Sequence, residues 1–148
     1  MRILLLPSLG QFSDIGLLAL RAFVGVFLVW GVLDNVISAE RMDEFVRFMR
    51  ANGFPSPRVL APLSVYAQLV CGALLIVGLL TRLASIAMCG HFIIAVAMVH
   101  WEQDFRAQWP ALILVFVSAY FALHGGGRWA IDRLLLRHAC NLICDKTQ

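Results

Sequence analysis

Four long apolar runs, at about 15–37, 59–80, 83–101 and 109–124, divide the chain, with polar stretches between them. Each approaches the ~20 residues that a helix needs to cross ~30 Å of hydrocarbon. None alternates apolar and polar side chains as the strands of a membrane barrel do, and a backbone in lipid must pair its own polar groups. The pattern predicts an all-α fold, an integral membrane four-helix bundle forming a single membrane domain over 1–148. The fourth run is the shortest, and it can recruit Ala107, Gln108 and Gly125 by snorkelling or local thinning of the bilayer.

The connection between the first two runs, SAERMDEFVRFMRANGFPSP, is charged but places Met42, Phe45, Val46 and Met49 at i, i+3, i+4 and i+7. That spacing predicts an amphipathic interfacial helix over about 40–52, its stripe covered and Glu40, Arg41 and Glu44 wet, with a lid or partner-docking element as the alternative reading. Ser38 is placed to cap its start, Gly53 to supply a left-handed end, and Pro55 and Pro57 to stop it running into the second span. The next connection is only Thr81-Arg82, so spans two and three form a tight antiparallel hairpin. After span four, three glycines end the helix and open a tail over 125–148.

Composition sharpens this picture. The chain is 61% hydrophobic and 14% charged, against roughly a quarter charged in soluble domains. Its twelve basic and nine acidic residues are scattered rather than gathered into a patch, which argues against nucleic acid as a partner. The bilayer is the expected partner, with soluble proteins or a second copy of the chain as further candidates. The apolar stretch Ile3 to Leu6 is shorter than the ~7 residues of a signal-peptide core, so no cleavage is expected. Both termini and the Arg82 turn share one face, which collects Arg2, Arg82, Arg128, Arg133, Arg137 and Lys146; the opposite face collects Arg41, Arg47, Arg50, Arg58 and Arg106. This small excess places both termini on the cytoplasmic side of an inner membrane.

Read in order, LALRAFVGVFLVWG, FMRANGFPSP, YAQLVCGALLIVGLLTRLAS and the C-terminal GGGRWAID resemble the DoxX family of membrane proteins. The shared features are an arginine with spaced glycines in span one, Gly-x-Pro before span two, Gly-Leu-x-Thr-Arg at its end, and a glycine-rich turn leading to an aspartate. Two positions depart from the family's pattern. Gln68 stands where a glutamate is common, and Asp34 where a lysine is common. The resemblance implies a four-helix inner-membrane protein associated with redox systems, whose known settings include a thiosulfate:quinone oxidoreductase subunit and membrane partners of detoxifying enzymes.

Polar residues deep in a span are costly and tend to face the bundle interior. By rise per residue, Arg21 lies roughly 9 Å into span one, Gln68 about 14 Å into span two, His91 about 12 Å into span three and Tyr120 about 16 Å into span four. All four fall in the middle third of the bilayer, and together they form a candidate polar layer for a carbonyl-bearing head group such as a quinone. The competing reading is a set of interhelical hydrogen bonds. His91 and His100 are too far apart on one helix to share a metal. His138, Cys140 and Cys144 give only a weak hint of metal or thiol chemistry, so no metal site is expected. No GxGxxG, P-loop, HExxH or nucleophile elbow is present. The function classes are therefore a membrane subunit or accessory of a redox system that handles quinone, or a non-catalytic scaffold that docks soluble enzymes, with a small-solute transporter third.

Overall fold

The computed structural model describes residues 12–100 and 104–135, the backbone alone at His100. Residues Trp101 to Gln103, His138, Cys140, Cys144 and the basic residues Arg2, Arg137 and Lys146 lie outside the described residues. Five α-helices follow one another: α1 (Ser13–Ile37), α2 (Ala39–Ala51), α3 (Pro57–Val77), α4 (Thr81–Ala95), extended by a π-helical turn over Val96–His100, and α5 (Phe105–His124). There are no strands among the described residues. Four helices are long and apolar enough to cross a membrane, α4 counting with its extension to Val99. The molecule is an all-α, multi-pass membrane bundle.

The short fourth run is completed at its start, where α5 begins at Phe105 and takes in Ala107 and Gln108 to reach 20 residues. Between spans one and two, α2 is amphipathic as its spacing requires. Met49 is buried, Met42, Phe45 and Val46 are half-buried, and Glu40, Arg41 and Glu44 are exposed. The Ser38 hydroxyl accepts from the Arg41 N–H at 3.4 Å, and Gly53 follows the helix with φ of 76°.

α1 packs along α3, α4 packs along α5, and α2 lies against both α1 and α3. The α1–α3 contact depends on two glycines. A methyl group built on Gly25 would stand 2.7 Å from the Gly72 carbonyl oxygen, and one on Gly72 would stand 2.9 Å from that of Gly25. Small residues thus let two backbones touch, the usual means of joining helices in lipid, where apolar burial drives no association. Leu28, Cys71, Leu75, Met88, Phe92, Leu114 and Phe121 bring all four spans into one core.

Candidate functional site

Two polar arrangements stand at opposite ends of this bundle. The first gathers the start of α1, the α3–α4 turn and the segment after α5. Arg21 is 1% exposed. Its guanidinium donates through Nη1 to the Gly126 carbonyl at 2.5 Å and, more weakly, through Nη2 to that of Trp129 at 3.4 Å. Gly78, with φ of 77°, lets the turn close over it, since a Cβ there would stand 2.5 Å from Nη1. The compensating charge is Asp132, which attracts Arg21 electrostatically.

Asp132 has a second task. Leu80, the residue before α4, has φ of 49° and no capping side chain of its own, so the first amides of α4 would face the bundle's end unpaired. The Asp132 carboxylate accepts from the Leu80 N–H at 2.6 Å and the Thr81 N–H at 2.9 Å, and the Asp132 N–H returns a bond to the Gly78 carbonyl at 3.1 Å. A residue more than fifty positions downstream therefore caps α4. The cap also suits the positive end of the helix dipole.

The second arrangement is a cleft of about 790 Å³ between α3 and α4, floored by Gly31, Val32 and Asn35 of α1 and roofed by Phe45, Phe48 and Met49 of α2. Its volume lies within the ~300–1,000 Å³ usual for small-molecule sites. Leu63 of α3 and Ile94 of α4 line it and are also 61% and 54% exposed on the surface. The cleft accordingly opens sideways, toward lipid. Among its mainly apolar lining are Gln68, on α3, and His91, on α4. Gln68 Nε2 donates to the Leu28 carbonyl at 3.2 Å, which fixes the amide while its second N–H and its oxygen remain for other partners. Gly90 also lines the cleft, and a Cβ built there would meet nothing within 4 Å.

A family model described as DoxX matches residues 16–101. The chain belongs to the DoxX family. No curated protein and no solved structure matches it. The matched region holds the cleft walls, Arg21, Gly78 and the α3–α4 turn. Gly126, Trp129 and Asp132, which complete the Arg21 cluster, lie beyond it.

The four residues of the expected layer in this DoxX protein are not all in one place. Gln68 and His91 share the cleft. Arg21 turns away from it, toward the segment after α5, because the carbonyls of Gly126 and Trp129 and the charge of Asp132 are there. Tyr120 is 47% exposed and stacks on His124 at 5.2 Å on the outer surface. The reason is helical phase: α5 buries Ala111, Leu114, Ser118 and Phe121, and Tyr120, two residues after Ser118, sits roughly 200° round from it. Depth alone could not reveal this. Gly90 was missed as a site component because nothing in a glycine announces a cavity, and the amphipathic stripe of α2 allowed a lid without saying what it would cover. Asp132 was visible only as the last letter of GGGRWAID. Among the described residues, no three His, Cys, Asp or Glu side chains are placed to hold a metal ion.

Proposed function

We propose that this DoxX family member is a membrane subunit or accessory of a redox system, and that its lateral cleft holds a quinone. The observation that carries this reading is the pairing of Gln68 and His91 in an apolar cleft open to the bilayer, with a glycine leaving space beside them. A quinone is a flat ring with carbonyl acceptors and an apolar tail. The free N–H of the Gln68 amide and a ring N–H of His91 are donors for the carbonyls, and the Gln68 oxygen accepts from the hydroxyls of the reduced form. Leu63, Ile86, Ile94 and Met98 suit the tail. A bound quinone would supply two-electron carrier chemistry, and the chain's own residues would orient the ring and exclude water from it.

The test is quinone binding to the purified protein in detergent or nanodiscs, by native mass spectrometry or by quenching of tryptophan fluorescence. Gln68→Leu and His91→Leu should each weaken binding about 3- to 10-fold, the worth of one hydrogen bond to a neutral acceptor. Unchanged affinity in both variants, or no binding by the native protein, would rule the reading out and favour a scaffold that docks soluble partners.

A further inference from the structure

The Arg21 cluster also positions an outer surface. At this end of the bundle α3 stops at Val77, α4 starts at Thr81 and α5 stops at His124, so it lies where membrane helices reach the head-group layer. Asp132, bonded to the Gly78 carbonyl and to the Leu80 and Thr81 amides, fixes the segment after α5 at that depth. Yet this segment turns apolar side chains outward. Trp129 is 65% exposed, Leu134 60% and Leu135 56%. At the boundary of water and lipid such side chains are stable when the indole sits among head groups and the leucines among the upper acyl carbons.

The charges at the same end do not balance. Its acidic side chains among the described residues are Asp14 and Asp132, and both are committed. Asp14 pairs with Arg128 at 3.6 Å, while Asp132 answers Arg21 and caps α4. Arg82 and Arg133 are left over, both exposed and neither making a side-chain hydrogen bond or ion pair with any described residue. The cap brings them to one place, since Arg82 follows Thr81, whose amide bonds Asp132, and Arg133 follows Asp132. Arg82 Nε lies over the end of α5, 3.3 Å from where a Cβ on Gly125 would stand. We propose that Trp129, Leu134 and Leu135, with Arg82 and Arg133, form a lipid-binding anchor that selects anionic phospholipid. The two guanidiniums take lipid phosphates, and the indole and leucines enter the leaflet beside them. A choline head competes less well because it carries its own cation. A soluble acidic partner would need the segment clear of the bilayer, and Asp132 holds it at the span ends. None of these residues lines the cleft, so the anchor is independent of the quinone reading.

The experiment places the full chain in vesicles holding choline and anionic glycerol phospholipids in equal amounts, with one or the other brominated on its acyl chains. Bromine quenches an indole it touches, and the share of Trp129 is the difference between the native protein and Trp129→Phe. Quenching of Trp129 should report the anionic lipid in about 5-fold excess over the choline lipid, the preference that roughly one guanidinium gives at an anionic surface. Arg82→Gln combined with Arg133→Gln should make the two lipids quench equally. Arg82→Lys combined with Arg133→Lys keeps both charges and should keep most of the preference, so loss in the glutamine variant is a loss of charge and not of fold. Arg47→Gln with Arg50→Gln, exposed residues at the other end of the bundle, should change nothing. Equal quenching in the native protein, a Trp129 that neither lipid quenches, or a preference that survives loss of both Arg82 and Arg133 would overturn the proposal.

Discussion

The two ends of the bundle use the same residue types to opposite purposes. At the Arg21 end and through the middle of α1, glycines bring backbone against backbone and guanidinium, as Gly25 and Gly72 meet each other and Gly78 closes over Arg21. At the α2 end, Gly90 meets nothing and lines a cleft. Polar groups divide likewise. Those around Arg21 are mostly spent on one another, a half-buried carboxylate capping a helix and a guanidinium tying the end of α5 to the start of α1, while Arg21 Nε and Thr81 Oγ1 stay buried without a partner. Those in the cleft keep hydrogen-bonding capacity unspent. A packed polar cluster whose charges and main hydrogen bonds answer one another suits a structural clasp, and an apolar hollow with a few unspent donors suits a ligand site.

The largest way to test this contrast is to remove the clasp. Arg21→Ala would leave Asp132 without its counter-charge and Gly126 and Trp129 without their donor, and should cost about 3 kcal/mol of stability, read as a lowered midpoint of thermal unfolding in detergent. Quinone affinity of the protein still folded at low temperature should be unchanged. A normal midpoint with lost binding would reverse the roles assigned to the two ends.

A smaller effect is expected at the cap. Asp132→Ala removes the acceptor for the Leu80 and Thr81 amides and should lower stability by ~1–2 kcal/mol. Asp132→Asn, which keeps one acceptor, should lose less. Both changes should increase amide hydrogen exchange at the α3–α4 turn before anywhere in α5. The smallest effect belongs to Tyr120, where Tyr120→Phe on the outer surface should move neither the unfolding midpoint nor quinone affinity.

How far the sequence spoke follows from what each signal depends on. The spans were legible because a run of apolar residues long enough to cross lipid has few other uses, and α2 was legible because it alone lies between water and apolar surroundings, so its Met42, Phe45, Val46, Met49 stripe carries phase. Within α5 no such stripe exists. Phe116 and Leu123 outside are as apolar as Leu114 and Phe121 inside, since both lipid and core are oily. Equal depth therefore suggested one layer for Arg21, Gln68, His91 and Tyr120, whereas rotation about each helix axis decides who meets whom. The cap by Asp132 was illegible for a different reason, being a contact between chain segments far apart in sequence that no periodicity records.

The central claim, that one end of the bundle is closed structure and the other a site, is tested most directly by placing the same side chain at two glycines. Gly25→Leu must force α1 from α3, and it should lower the unfolding midpoint by the equivalent of ~2 kcal/mol or more. Gly90→Leu enters open space and gains helix propensity, so its midpoint should equal or exceed that of the native protein, while quinone binding falls at least about 10-fold because the leucine fills the cleft. A Gly90→Leu protein that binds quinone as the native chain does, or that unfolds as readily as Gly25→Leu, would contradict the account.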